Sequence, residues 1–216
     1  EICSTAAFQP MPGLGVYAAT KAFLAGENRE NVTVLALFDN EEIGSLTRQG
    51  ADSTFLGDVL ERVALSCGKD REGLYRAIAG GFMLSADNAH AVHPDSPEKS
   101  DPTNRCYLNE GVVVKHSPRY ASDALTAGVF QAICQKAGVP VQVYYNNSRI
   151  PGGGTLGNLS GSHVALPTVD IGLPQLSMHS PYETAGAQDL EYMVQAMEAF
   201  YKTVLTVTGQ DAYEIS

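Results

Sequence analysis

Positive charge is scarce in this chain: 14 lysines and arginines stand against 24 aspartates and glutamates, giving a formal net charge of -10 and a pI near 4.8. Nucleic acid and anionic membrane surfaces would repel such a protein, so neither is expected as a partner. Long apolar runs are also missing. None approaches the roughly 20 residues that a membrane-spanning helix needs, and no signal-peptide pattern is visible. The cysteines Cys3, Cys67, Cys106 and Cys134 lie far apart and form no CxxC pair. That excludes a thiolate zinc knuckle and reads as reduced thiols in a cytoplasmic protein. HExxH is absent, which excludes a helix-borne zincin site, and so is GxxxxGK[ST], which excludes that class of phosphate loop.

What is present is a globular composition. Of 216 residues, 44% are hydrophobic, and 10 Tyr with 7 Phe supply bulk for one sizeable core. Helical spacing of Val16, Ala19, Phe23 and Leu24 predicts a helix that stops at Gly26. The run NVTVLALFD (31–39) is β-branched and almost wholly apolar, and predicts a central strand buried on both faces. A helix is expected from Ala51 to Cys67, capped by Gly68, with Phe55, Leu56, Val59, Leu60 and Val63 as its apolar positions. Apolar runs follow at 80–87, ending on Asp87, and at 111–116. Helical pattern returns from Arg119 to Gly138, then a strand at 139–145, a strand at 168–180 that runs into His179, and a last helix from Gln188 to Val207. The polar stretch 93–110 reads as one long loop. This alternation predicts an α/β fold: three layers, a mostly parallel central sheet with helices on both faces.

Parallel strands carry their carboxyl ends to one edge, where open α/β sheets bind ligands. Three runs end there on metal-type ligands: 31–38 on Asp39, Glu41 and Glu42, 80–86 on Asp87, and 168–178 on His179. Such oxygen and nitrogen donors suit Zn²⁺. Adjacent Glu41 and Glu42 repel each other, and that is useful if one binds the cation while its neighbour stays free as a general base toward metal-bound water. A solvated surface pair of acids is the alternative. In SADNAHAVHP (85–94), His90 and His93 follow Asp87 at three and six residues, as substrate-facing or supporting imidazoles would. PGGGTLG (151–157) permits close approach of backbone to a ligand, or is simply a flexible turn. His116 and His163 carry no readable motif.

In this order LFDNEEIGS and QGADSTFL, SADNAHAVHP, KHSPRYASDA and TVDIGLPQLSMHS resemble the aspartyl aminopeptidase family, cytosolic di-zinc exopeptidases that assemble into dodecamers. The resemblance runs from about Gly15 to about Tyr201. It implies a zinc aminopeptidase that removes N-terminal Asp or Glu from peptides through a hydroxide bridging two metals, and a homo-oligomer. By it, Glu41 is the general base, Glu42 and His179 share one zinc and Asp87 binds the other. His90, Lys115 and Tyr120 match positions that contact substrate. The family also uses a His from the far N-terminal part and a bridging Asp. Here no Asp occurs in residues 1–38 and no His precedes His90, and Met11 or Pro12 stands nearest the bridging position. Residues 1–216 are therefore expected to form one domain, the C-terminal part of the peptidase domain. The N-terminal part and an inserted β-rich assembly domain are missing, and one zinc or none is retained. A catalytically incomplete remnant acting in assembly or peptide binding is the alternative. The Gly-rich stretch leaves a sugar- or nucleotide-binding module as a third reading.

Overall fold

The computed structural model describes residues 2–8, 14–26, 30–150 and 152–216. Seven strands of the described residues form one sheet. Strand β1 (Ile2–Phe8) lies parallel between β2 (Val32–Leu37) and β3 (Met83–His90). Next to β3, and parallel to it, runs β6 (Thr168–Leu176). Then comes β4 (Val112–His116), antiparallel to β6, and β5 (Val141–Tyr145), parallel to β4. The short β7 (Thr184–Ala185) adds to the end of β6. Because β2, β3 and β6 share one direction, their carboxyl ends emerge at the same edge.

Among the described residues six helices accompany the sheet: α1 (Leu14–Ala25), α2 (Phe55–Ser66), α3 (Arg71–Ala79), α4 (Ala124–Ala137), α5 (Leu156–His163) and α6 (Ala187–Lys202). The apolar core has two main clusters. Leu84 and Ala86 of β3 join Phe130 of α4 and Met193 and Met197 of α6 in one, whereas Met83 joins Leu56 and Leu60 of α2, Leu74 of α3 and Leu156 of α5 in the other. Successive strand residues point to opposite faces, so one strand feeds both clusters. Each large side chain buried this way contributes about 2 kcal/mol.

Several expectations are corrected here. The run 31–39 is not a central strand, because β1 separates it from β3 and leaves β2 last in the strand order of the described residues. Half-exposed Val32 and Leu37 follow from that position. Strand β3 does not end on Asp87; it stays paired with β6 as far as His90 and Gln175. Helix α2 starts at Phe55, and its buried face is Leu56, Leu60 and Ala64, so Phe55, Val59 and Val63 face outward. Helix α4 starts at Ala124, where Asp123 and Thr126 form a capping box, and residues 117–122 are a loop. Helix α3 has no counterpart in the expectations, and α5 occupies the second half of the Gly-rich stretch. Finally, α6 stops at Lys202 and the β-branched tail forms a hairpin, β8 (Leu205–Gly209) and β9 (Ala212–Ile215). Met11 and Pro12 lie outside the described residues.

Candidate active site

At the shared carboxyl edge, Glu41, Glu42, Asp87, His90, Lys115, Tyr120 and His179 all line one cleft of about 160 Å³. The acid pair sits on a single 3₁₀ turn, Glu41–Ile43, entered through left-handed Asn40 (φ 63) and left through Gly44 (φ 99). With three residues per turn, consecutive side chains diverge by about 120°. The neighbouring carboxylates therefore part: Glu41 is half-buried and Glu42 exposed. The loop behind them closes tightly, since a Cβ on Gly50 would sit 2.2 Å from the Ser45 carbonyl oxygen.

Glu42 meets His179. Its Oε2 lies 3.1 Å from His179 Nε2, and two atoms bound to one tetrahedral zinc at about 2.0–2.1 Å sit roughly 3.3 Å apart. The pair thus fits two positions on one ion. His179 is positioned by its backbone, with φ 67 and its N–H donating to Glu183 Oε1 at 2.6 Å. Asp87 is engaged differently. Its Oδ1 accepts the Asn88 N–H at 2.6 Å, and its Oδ2 faces Lys115 Nζ at 3.3 Å. Among the described residues, no three His, Cys, Asp or Glu side chains are grouped so as to hold a metal ion.

Lys115 is buried on β4, donates to the Asn88 carbonyl at 3.1 Å, and lies 5.4 Å from the centre of the Tyr120 ring. Burial, and then the charges of Asp170 and Asp87, push the Tyr120 phenol up to about 12, so it stays a hydrogen-bond donor. His90 opens into the cleft. The crowding around it, then the charges of Lys115 and His179, hold its pKa below 6.5. It is therefore expected to be neutral at pH 7. An NMR titration of the metal-free chain should place its midpoint below 6.5, and Lys115→Met should raise it by removing a cation; a midpoint above 6.5 would contradict this electrostatic account.

Residues without a motif complete the site. Asp170, buried on β6, accepts the Ala121 N–H at 2.5 Å, and its own N–H donates to Ser122 Oγ at 2.8 Å, fixing the loop that carries Tyr120. His93 Nδ1 accepts the Asp95 N–H at 3.2 Å, which leaves the proton on Nε2 to reach Ser177 Oγ at 3.2 Å, two residues before His179. Gln175, at the end of β6, also lines the cleft. Only its position four residues before His179 could have singled it out. The remaining histidines are structural: His116 stacks on Tyr145 and His163 pairs with Asp52 at 2.9 Å. The thiols of Cys67, Cys106 and Cys134 are free, and burial pushes Cys106 and Cys134 up to about 12.

Comparison with known proteins decides the family. Residues 12–201 match the model of the aminopeptidase I zinc metalloproteases, M18. The chain belongs to the M18 family. It is 48% identical over 188 residues to a probable M18 family aminopeptidase 2 of Clostridium acetobutylicum, covering 86% of this chain and 43% of that one. A chain of the Ape4 and Nbr1 complex, solved by cryo-electron microscopy, superposes with a TM-score of 0.80 at 34% identity, over 87% of this chain and 37% of the other. A chain of the S. cerevisiae mApe1 dodecamer gives 0.74 at 30% identity, over 86% and 43%. The M18 chain described here thus spans less than half the length of these relatives. Among its described residues, no helix is long and apolar enough to cross a membrane.

Proposed function

We propose that this chain is the C-terminal part of a zinc aminopeptidase catalytic domain, layered helix, sheet, helix as in zinc exopeptidases, that removes acidic residues from peptide N-termini. The observation that carries the reading is the convergence of Glu42 and His179 to 3.1 Å beside Glu41, from the segments that follow β2 and β6, far apart in sequence. In this reading Glu42 and His179 would hold one zinc, whereas Asp87, which the resemblance assigns to a second, is paired with Lys115 here. When bound, zinc supplies Lewis-acid activation of water and of the scissile carbonyl. Glu41 takes the proton from the attacking water and returns it to the departing amine. Tyr120, kept protonated, donates to a substrate oxygen. His90, kept neutral, offers a hydrogen bond to the bound peptide, and Lys115, which lines the same cleft, is the cation placed to meet a substrate oxygen. The protein works as a cytoplasmic homo-oligomer, in keeping with its resemblance to Ape1-type assemblies.

A second reading, a remnant that binds peptide without cleaving it, is favoured by the pairing of Asp87 with Lys115 in place of a three-ligand cluster. Zinc content and turnover of an aspartyl chromogenic anilide separate the two. Bound zinc, with turnover abolished by a chelator and restored by Zn²⁺, is expected. A folded chain with neither metal nor turnover would support the incomplete reading, a fragment or remnant that does not cleave peptide by itself.

A further inference from the structure

A second cavity, of about 520 Å³, opens beside the cleft and shares His90, Tyr120 and Gln175 with it. Its lining runs against the character of the molecule. The chain carries a net charge of -10, yet no aspartate or glutamate lines this cavity among the described residues; Lys99 does, accompanied by His90 and His93. Lys99 closes the 3₁₀ turn Pro97–Lys99 in the long polar loop, is exposed, and takes part in no ion pair among the described residues. Lys115 differs in each respect: it is buried, and its ammonium is already bonded to Asp87 and the Asn88 carbonyl. An exposed cation, unpaired among the described residues, in an acid-free cavity of an acidic protein favours an anion there.

Gln175 is a second and independent sign. It is 1% exposed, it lines both cavities, and neither its Nε2 nor its Oε1 has a hydrogen-bond partner. A buried amide is satisfied by water or by a ligand when protein groups do not reach it. Its donor and acceptor lie where a bound chain would cross from the cleft into the cavity.

We infer that this cavity binds a carboxylate of the peptide substrate, with Lys99 as the charged partner and Gln175 as the neutral one. The inference rests on the proposed peptide-binding cleft and adds to it the group that sets selectivity. Three peptide carboxylates carry this chemistry: the side chain of the first residue, that of the second, and the C-terminus.

Equilibrium binding separates them, measured on the full chain with Glu41→Gln so that no probe is consumed. Ala-Ala-amide is the reference; Asp-Ala-amide, Ala-Asp-amide and Ala-Ala each add one carboxylate. One of the three is expected to bind about tenfold tighter than the reference, the weight of one charge-assisted contact. Lys99→Met should abolish that gain and Lys99→Arg should keep it, with circular dichroism unchanged. If no carboxylate improves binding, or if the gain survives Lys99→Met, the inference is overturned. Its failure is distinct from that of the peptidase reading: a Lys99-dependent gain without wild-type turnover sinks the peptidase alone, and turnover without such a gain sinks the subsite alone.

Discussion

Glu41→Gln is expected to lower kcat by about 10²–10⁴-fold, the usual weight of a positioned general base, with zinc content unchanged. Gln keeps the shape and hydrogen-bonding reach of the side chain and removes only its ability to take a proton. The matched change one residue on should behave otherwise. Glu42→Gln alters the group 3.1 Å from His179, so its primary loss should be bound zinc, with activity partly recovered by excess metal. The contrast follows from the 3₁₀ turn, which sends two chemically identical side chains in different directions. Zinc titration and steady-state kinetics on both variants check it. Indistinguishable defects, or a Glu41→Gln loss under tenfold, would refute the division of labour.

The largest expected effect on stability lies far from the acids. Asp189, fully buried in the first turn of α6, accepts the Asn109 N–H at 2.6 Å and the Gly111 N–H at 3.0 Å. Those residues occupy left-handed backbone, φ 63 and φ 117, and a Cβ on Gly111 would lie 2.2 Å from the Pro140 carbonyl oxygen. One carboxylate thus pins a strained turn that leads directly into β4 and Lys115. Asp189→Ala leaves two N–H groups without their acceptor, at a cost of about 3 kcal/mol, or roughly 6–12 °C in melting temperature for a domain of this size. Calorimetry decides. A drop below about 2 °C would mean that water replaces the carboxylate without loss.

How much of this was legible in the residues depends on where each signal lay. The candidate cleft residues stood out because Glu, Asp and His gain little from packing beside apolar runs, although Asp87 lies within β3 and not at its end. The acid-lined edge followed from parallel strands alone. The place of β2 in the sheet was not readable: an apolar run says that a strand is half covered or more, not which neighbours flank it. Strand β1 was missed because ICSTAAF is rich in small residues, with little of the β-branched bulk that marks a strand. Gln175 and Asp170 sit inside an apolar strand, and only the tertiary fold aims the Gln175 amide into the cavities and ties Asp170 to the Ala121–Ser122 loop. The C-terminal hairpin was hidden by continuity of apolar spacing beyond Lys202, although Thr203, Val204, Thr206 and Val207 favour strand over helix.

The sheet order distributes the site unevenly. Asp87 and the approach to His179 ride on β3 and β6, each flanked on both sides, whereas the turn bearing Glu41 and Glu42 follows β2, which has β1 as its sole sheet neighbour among the described residues. Fraying on warming begins at margins with few neighbours. Heating is therefore expected to loosen the turn bearing Glu41 and Glu42 ahead of the melting of the strands at the centre of the sheet.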